Sequence, residues 1–176
     1  MTGTAGRPVL FLDVDGPLIP FGTRPPDCPR SDAGANAKVG GNPLLARLDP
    51  DDGPRLLALG CELVWATTWM ADANEVIAPL IGLPDLPLVE WSDAADDEGG
   101  PLHWKTRDLV DWAAGRPFVW VDDEIADADR LWVAAHHPGQ ALLHRVDPRC
   151  GLTAADLAAI GAWLERDPAG ASEPGP

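Results

Sequence analysis

Four stretches of this chain are apolar almost without interruption: Val9-Leu10-Phe11-Leu12, Leu63-Val64-Trp65-Ala66, Phe118-Val119-Trp120-Val121 and Ala141-Leu142-Leu143. A strand with one wet face would alternate apolar and polar residues, and none of these does. Both faces must therefore be covered, as in parallel strands packed between two layers of helices. Segments with helical spacing separate the runs. The pattern predicts an α/β domain of three layers, α/β/α, around a mostly parallel sheet of about five strands. Leu88-Val89 supplies the weakest of the five.

The helices carry their own signals. One is expected after Thr67-Thr68, with Asp72 as N-cap and Glu75 as its partner three residues on. Another spans Trp104 to Ala114 and is stopped by Gly115 and Pro117. A third covers Asp127 to Ala135. A last one is capped by Thr153 with Asp156 and carries Leu157, Ile160 and Leu164 on one face. With 176 residues the chain suits a single domain, placed at 8–166. A flexible N-terminus is expected at 1–7 and a disordered, Pro-rich tail at 167–176. The Pro-, Gly- and Asp-rich stretch at about 17–53 reads as a flap or small cap.

Thirteen basic residues face 28 acidic ones, a net charge of −15. Such a surface repels phosphodiester backbones and anionic membranes, which argues against a dedicated nucleic-acid binder or membrane partner. Cys28, Cys61 and Cys150 form no CxxC pair, so neither a disulfide scaffold nor a zinc site is expected. No run approaches the length of a membrane span and no secretory signal is evident, so the expected location is cytoplasmic.

The chemistry lies at the strand ends. Asp13 and Asp15 follow the first apolar run, Thr67 and Thr68 the second, Asp122 and Asp123 the run at 118–121. Ligands of open α/β sheets bind outside the carboxyl ends of the strands, so these residues are expected to converge. Several carboxylates in one small volume cannot all stay ionised without a cation. A hard ion such as Mg²⁺ takes oxygen ligands and pairs them with a phosphate oxygen. Lys105, just before the 118–121 strand, can reach the same crevice and hold a phosphoryl group.

In that order and context, Asp13-Val14-Asp15-Gly16, Thr67, Lys105 and Asp122-Asp123 resemble the four motifs of haloacid dehalogenase-like (HAD) hydrolases. The surrounding text, LFLDVDGPL, LVWATTW and WVDDE, looks like compact, capless or small-capped actinobacterial members. The resemblance covers about residues 8–146. It implies a Rossmann-like fold and a Mg²⁺-dependent phosphomonoesterase working through an aspartyl-phosphate. Asp13 would be the nucleophile and Asp15 the general acid and base. Thr67, Thr68 and Lys105 would bind the phosphoryl oxygens. Asp13 through its carboxylate, Asp15 through its main-chain carbonyl, and Asp122 and Asp123 would serve the metal, with Asp123 the direct ligand, Asp122 its support and Asp127 an alternative outer residue. Relatives that cleave carbon–halogen bonds lack an acid at the position of Asp15, so its presence implies phosphoryl transfer. The expected partner is a phosphorylated small molecule or macromolecule.

Each residue has a plainer reading. A lone strand-end Asp caps a turn or helix, a lone Thr packs in a strand, and a helix-start Lys is solvated. Eight tryptophans suit core and rim packing better than a stacking platform, with Trp69, just past Thr67-Thr68, the exception. His136-His137 suits a helix C-terminus. Arg24, Arg30 and Arg47 could meet a second anionic group of a substrate. The acidic cluster from Asp93 to Glu98 reads as a solvated loop. Other functions compete: a degenerate HAD-like binding domain, a phosphotransferase of the same family, or a phospho-accepting receiver domain. In receivers the acidic pair comes first, which is not the order here.

Overall fold

The computed structural model describes residues 6–28, 42–93 and 100–166. The expected flexible N-terminus (for residues 1–5), the tail 167–176, part of the insert (29–41, with Arg30) and most of the acidic cluster (94–99) lie outside the described residues. The strands are β1 (Val9–Leu12), β2 (Glu62–Trp65), β3 (Phe118–Asp122) and β4 (Ala141–Arg145). They form one parallel sheet in the order β2-β1-β3-β4. Among the described residues the sheet thus has four strands rather than five. Leu88 makes only a single bridge to Trp65, because Pro84 and Pro87 precede it and cannot donate ladder hydrogen bonds.

The two-sided burial expected of the apolar runs is met. Leu10, Leu12, Leu63, Trp65, Val119 and Val121 face one core. There they meet Leu56 of α1 (Asp52–Leu57), Ile81 of α2 (Ala78–Ile81), and Leu157 and Ile160 of α5 (Ala154–Glu165). The alternate residues Val9, Phe11, Val64, Phe118 and Trp120 face the other. That layer holds Leu109 and Ala113 of α3 (Thr106–Ala113) and Val133 of α4 (Asp127–His136). Period-two alternation thus assigns neighbouring apolar residues to opposite cores.

Local signals fared unevenly. Thr153 and Asp156 form the expected capping box on α5: the Asp156 amide donates to Thr153 Oγ1 at 3.2 Å, and the Thr153 amide to Asp156 Oδ2 at 2.8 Å. The pair expected at Asp72 and Glu75 is corrected. Asp72 is itself helical in backbone, makes no side-chain cap, and leads into a wide π-type turn at Ala73–Ile77 before α2. Asn74 orders this turn: its Oδ1 accepts from the indole of buried Trp65 at 2.8 Å and from the Leu86 amide at 2.9 Å. α3 begins at Thr106 instead of Trp104, with Lys105 at its N-cap position.

α1 and α2 touch through Gly53, where an added Cβ would overlap the Ile81 carbonyl group. Backbone cannot yield as a flexible side chain can. Gly53→Ala should therefore destabilise the domain by about 2–3 kcal/mol, a fall of roughly 5–10 °C in Tm by thermal unfolding. An unchanged Tm would mean that the two helices are not so closely apposed.

Candidate active site

The chain runs from central β1 out to β2, then crosses to β3 on the other side of β1. The reversal puts a crevice at the carboxyl ends of β1 and β3, where ligands of such sheets bind. Leu12 pairs with Val121 in register, so Asp13 and Asp122 leave neighbouring strands side by side. The Asp13 amide continues the ladder to the Val121 carbonyl at 3.1 Å.

Lys105 joins them. Its Nζ lies 2.9 Å from Asp13 Oδ2 and 2.8 Å from Asp122 Oδ2, and the side chain is almost fully buried. Asp122 is hydrogen-bonded on both oxygens: Oδ2 also accepts from the Trp120 indole at 3.3 Å, and Oδ1 from the Glu124 amide at 3.0 Å. Asp123, next in the chain, lines an open cleft with Asp13, Asp15, Thr68, Lys105 and Glu124. Lys105 is the one cation among the described lining residues.

The electrostatics follow from this packing. Burial pushes the Asp13 carboxyl up to about 7; Lys105 opposes the rise and the Asp122 charge adds to it. Asp123 rises to about 6 for the same reasons, burial first and then Asp122. Burial alone would drive the Lys105 ammonium towards neutrality, but the Asp13 and Asp122 charges outweigh it and raise its pKa. One ammonium thus serves three buried carboxylates whose oxygens lie within 4.8 Å of one another. This donor set suits a hard divalent cation: it is all oxygen, crowded, and short of positive charge.

Asp15 is held by its Oδ2, which accepts from the Trp69 indole at 3.0 Å. Trp69 thus belongs to the site. Thr67 is buried at the end of β2, its Oγ1 accepting from the Trp69 amide at 3.3 Å, while exposed Thr68 lines the cleft. Asp127 points away: its carboxylate is 98% exposed and meets Arg130 at 3.4 Å. The buried acid of this turn is Asp129. Asp129 Oδ1 accepts from the His103 amide and the Thr106 hydroxyl, both at 2.7 Å, and Oδ2 from the Ala126 amide at 2.8 Å. This carboxylate ties the segment that presents Lys105 to the loop after β3. Helical position hides it in the sequence, where it is one of many acids. Trp120 was more accessible to sequence reasoning, since it lies two residues before Asp122 and so on the same strand face.

Trp65 and Trp120 are fully buried, and Trp91, Trp112, Trp132 and Trp163 pack half-buried against the cores, as rim tryptophans should. His136 Nδ1 contacts the Trp132 carbonyl at 2.8 Å in the last turn of α4. Arg47 is used at the Pro20 carbonyl, 2.9 Å away. Cys28, Cys61 and Cys150 form no disulfide with one another. No helix among the described residues is long and apolar enough to cross a membrane.

Gly16 lets the two halves of the site approach. Its φ is +92° and a Cβ would fall 2.6 Å from Asp123 Oδ1. Gly16→Ala should displace the Asp123 carboxylate or the 13–16 turn, costing about 1–2 kcal/mol of stability. The Asp123 side of the cleft would be lost with it. Retention of full stability by this variant would show that the two segments do not meet so tightly.

A doubly wound sheet with Asp13, Asp15, Lys105 and Asp122-Asp123 gathered at its switch point defines a HAD-like domain, of an enzyme class that carries out hydrolysis and phosphoryl transfer. The family follows from the sequence comparison: residues 9–157 match the model of the HAD domain in Swiss Army Knife RNA repair proteins, and the chain belongs to that family. No curated protein and no solved structure matches it.

Proposed function

We infer that the protein is a Mg²⁺-dependent phosphomonoester hydrolase acting through a phosphorylated Asp13. The observation that carries this reading is the Asp13 carboxylate, buried at the switch point, 2.9 Å from Lys105 Nζ and two residues before an acid held by Trp69. An Asp13 oxygen attacks phosphorus as the ester P–O bond breaks, and Asp15 gives its proton to the departing oxygen. Asp15 then takes a proton from water, which attacks the phosphorus and frees Asp13 and inorganic phosphate. Lys105 and the Thr68 hydroxyl stabilise the phosphoryl oxygens throughout, in a cleft too acidic to hold them otherwise. The Asp13 carboxylate, the Asp15 main-chain carbonyl and Asp123 would hold Mg²⁺, with Asp122 orienting Lys105; when bound, the ion would neutralise charge on the transferring group.

On this reading the insert at about 17–53 serves as a flap or small cap, in one domain over 8–166. The protein works in the cytoplasm. Substrates carrying a terminal phosphate on RNA are a second reading, favoured by the family's association with RNA repair. The net charge of −15 opposes it.

The test is phosphate release from p-nitrophenyl phosphate and a panel of phosphomonoesters. Chelation by EDTA should abolish turnover, and added Mg²⁺ should restore it. Acid quenching during turnover should trap phosphate on Asp13, located by peptide mass spectrometry. Full turnover in EDTA after dialysis would remove the metal from the mechanism.

A further inference from the structure

Beyond the phosphoryl site, two aromatic side chains line the same cleft: Phe21 and Trp104. Phe21 is 45% exposed, yet its backbone is firmly held. Its amide donates to the Pro148 carbonyl at 2.8 Å, and the preceding Pro20 carbonyl accepts from Arg47 at 2.9 Å. A large apolar ring is thus held half in water at the mouth of a carboxylate-rich cleft, where the core does not use it. Trp104, just before α3, is braced by an edge contact with Trp91 at 4.8 Å, by stacking on His103 at 5.5 Å and by the Lys105 ammonium 5.4 Å from its ring centre. The remaining described lining is Asp13, Asp15, Thr68, Lys105, Asp123 and Glu124. Apart from Lys105, which is already paired with Asp13 and Asp122, no cation there could receive a second anionic group.

We propose that Phe21 and Trp104 form an aromatic mouth that selects phosphomonoesters whose leaving group carries a planar aromatic ring and no second phosphate, of the nucleoside monophosphate or aryl phosphate kind. The proposal rests on the phosphatase reading and adds a specificity to it. Two features do the selecting. An aromatic ring carried by the leaving group meets the exposed Phe21 ring and the braced Trp104 ring, and such contacts hold bases without reading their edges. A second phosphate meets Asp15 and Glu124 instead, and like charges repel it.

The experiment compares kcat/KM for nucleoside monophosphates and p-nitrophenyl phosphate with that for glycerol 2-phosphate and nucleoside diphosphates, in wild type, Phe21→Ala, Phe21→Trp and Trp104→Ala, with saturating Mg²⁺. The wild type should prefer the aromatic monophosphates. Phe21→Ala should lose about tenfold in kcat/KM for them, chiefly through KM, and leave glycerol 2-phosphate unchanged. Phe21→Trp should keep the preference, and Trp104→Ala, checked for folding by Tm, should weaken it. Equal rates on glycerol 2-phosphate and nucleoside monophosphates, untouched by Phe21→Ala, would overturn the aromatic mouth while leaving the phosphatase intact. A preference for the diphosphates would overturn the charge argument. No hydrolysis of any ester would sink the phosphatase reading itself, and the proposal with it.

Discussion

Asp13→Asn should reduce phosphate release to background, a loss of roughly 10⁴-fold or more in kcat, as expected for a covalent nucleophile. Asn is nearly isosteric, and its amide keeps an oxygen that can still accept from the Val14 amide, now at 2.8 Å from Asp13 Oδ1. Lys105 retains its pairing with Asp122. The substitution also removes a buried charge whose pKa burial has pushed up to about 7, so the fold should hold and Tm should not fall. Activity and stability would then separate. Trapped phosphoenzyme should vanish in this variant. Substantial turnover without Asp13 would assign the chemistry to another group.

Lys105→Met should show the largest loss of stability. The ammonium is the only described cation among Asp13, Asp122 and Asp123, and removing one partner of a buried pair leaves uncompensated charge. Partial protonation of the carboxyls relieves some of this, so the cost should be about 3 kcal/mol, or roughly 6–12 °C in Tm. The pH dependence has a definite sign. Asp13 and Asp123 already titrate above the usual carboxylate range in the folded chain, at about 7 and about 6. Without Lys105, which lowers both, they should rise further. A carboxyl with a raised folded pKa binds more protons folded than unfolded, so stability falls as pH rises through that pKa. The variant should therefore regain Tm on acidification from neutral to mildly acid pH, more than the wild type does. Millimolar Mg²⁺ should also restore part of the loss at neutral pH, by supplying the missing positive charge. A Tm indifferent to both would show that the carboxylates do not depend on Lys105.

Much of this site was legible because strand-end chemistry is local. An apolar run followed by Asp-x-Asp-Gly announces both a buried strand and what stands at its end. Asp13, Asp15, Lys105, Asp122 and Asp123 could be named from the sequence, and the structure gathers them at one crevice. What escaped were residues whose role depends on a partner far along the chain. Asp129 is one acid among 28, and only the packing of α4 carries it to His103 and Thr106. Asp127, nearer the motif, lies on the solvent side of the same first turn. Helical phase decides between them. The cap expected at Asp72 failed similarly, since the Thr67–Trp69 turn and Asn74 already order that segment.

From the sequence alone came the layers and the candidate residues at the strand ends: unbroken apolar runs require burial on both faces, and residue types limit what a strand end can do. Tertiary structure alone decided the order β2-β1-β3-β4, the missing fifth strand, the sharing of Lys105 between two carboxylates, and the placing of Phe21 and Trp104 on one cleft. The reason is range. Hydrophobic period and motif spacing are written within about ten residues, whereas a crossover and a shared ammonium depend on which distant segments the whole core brings together.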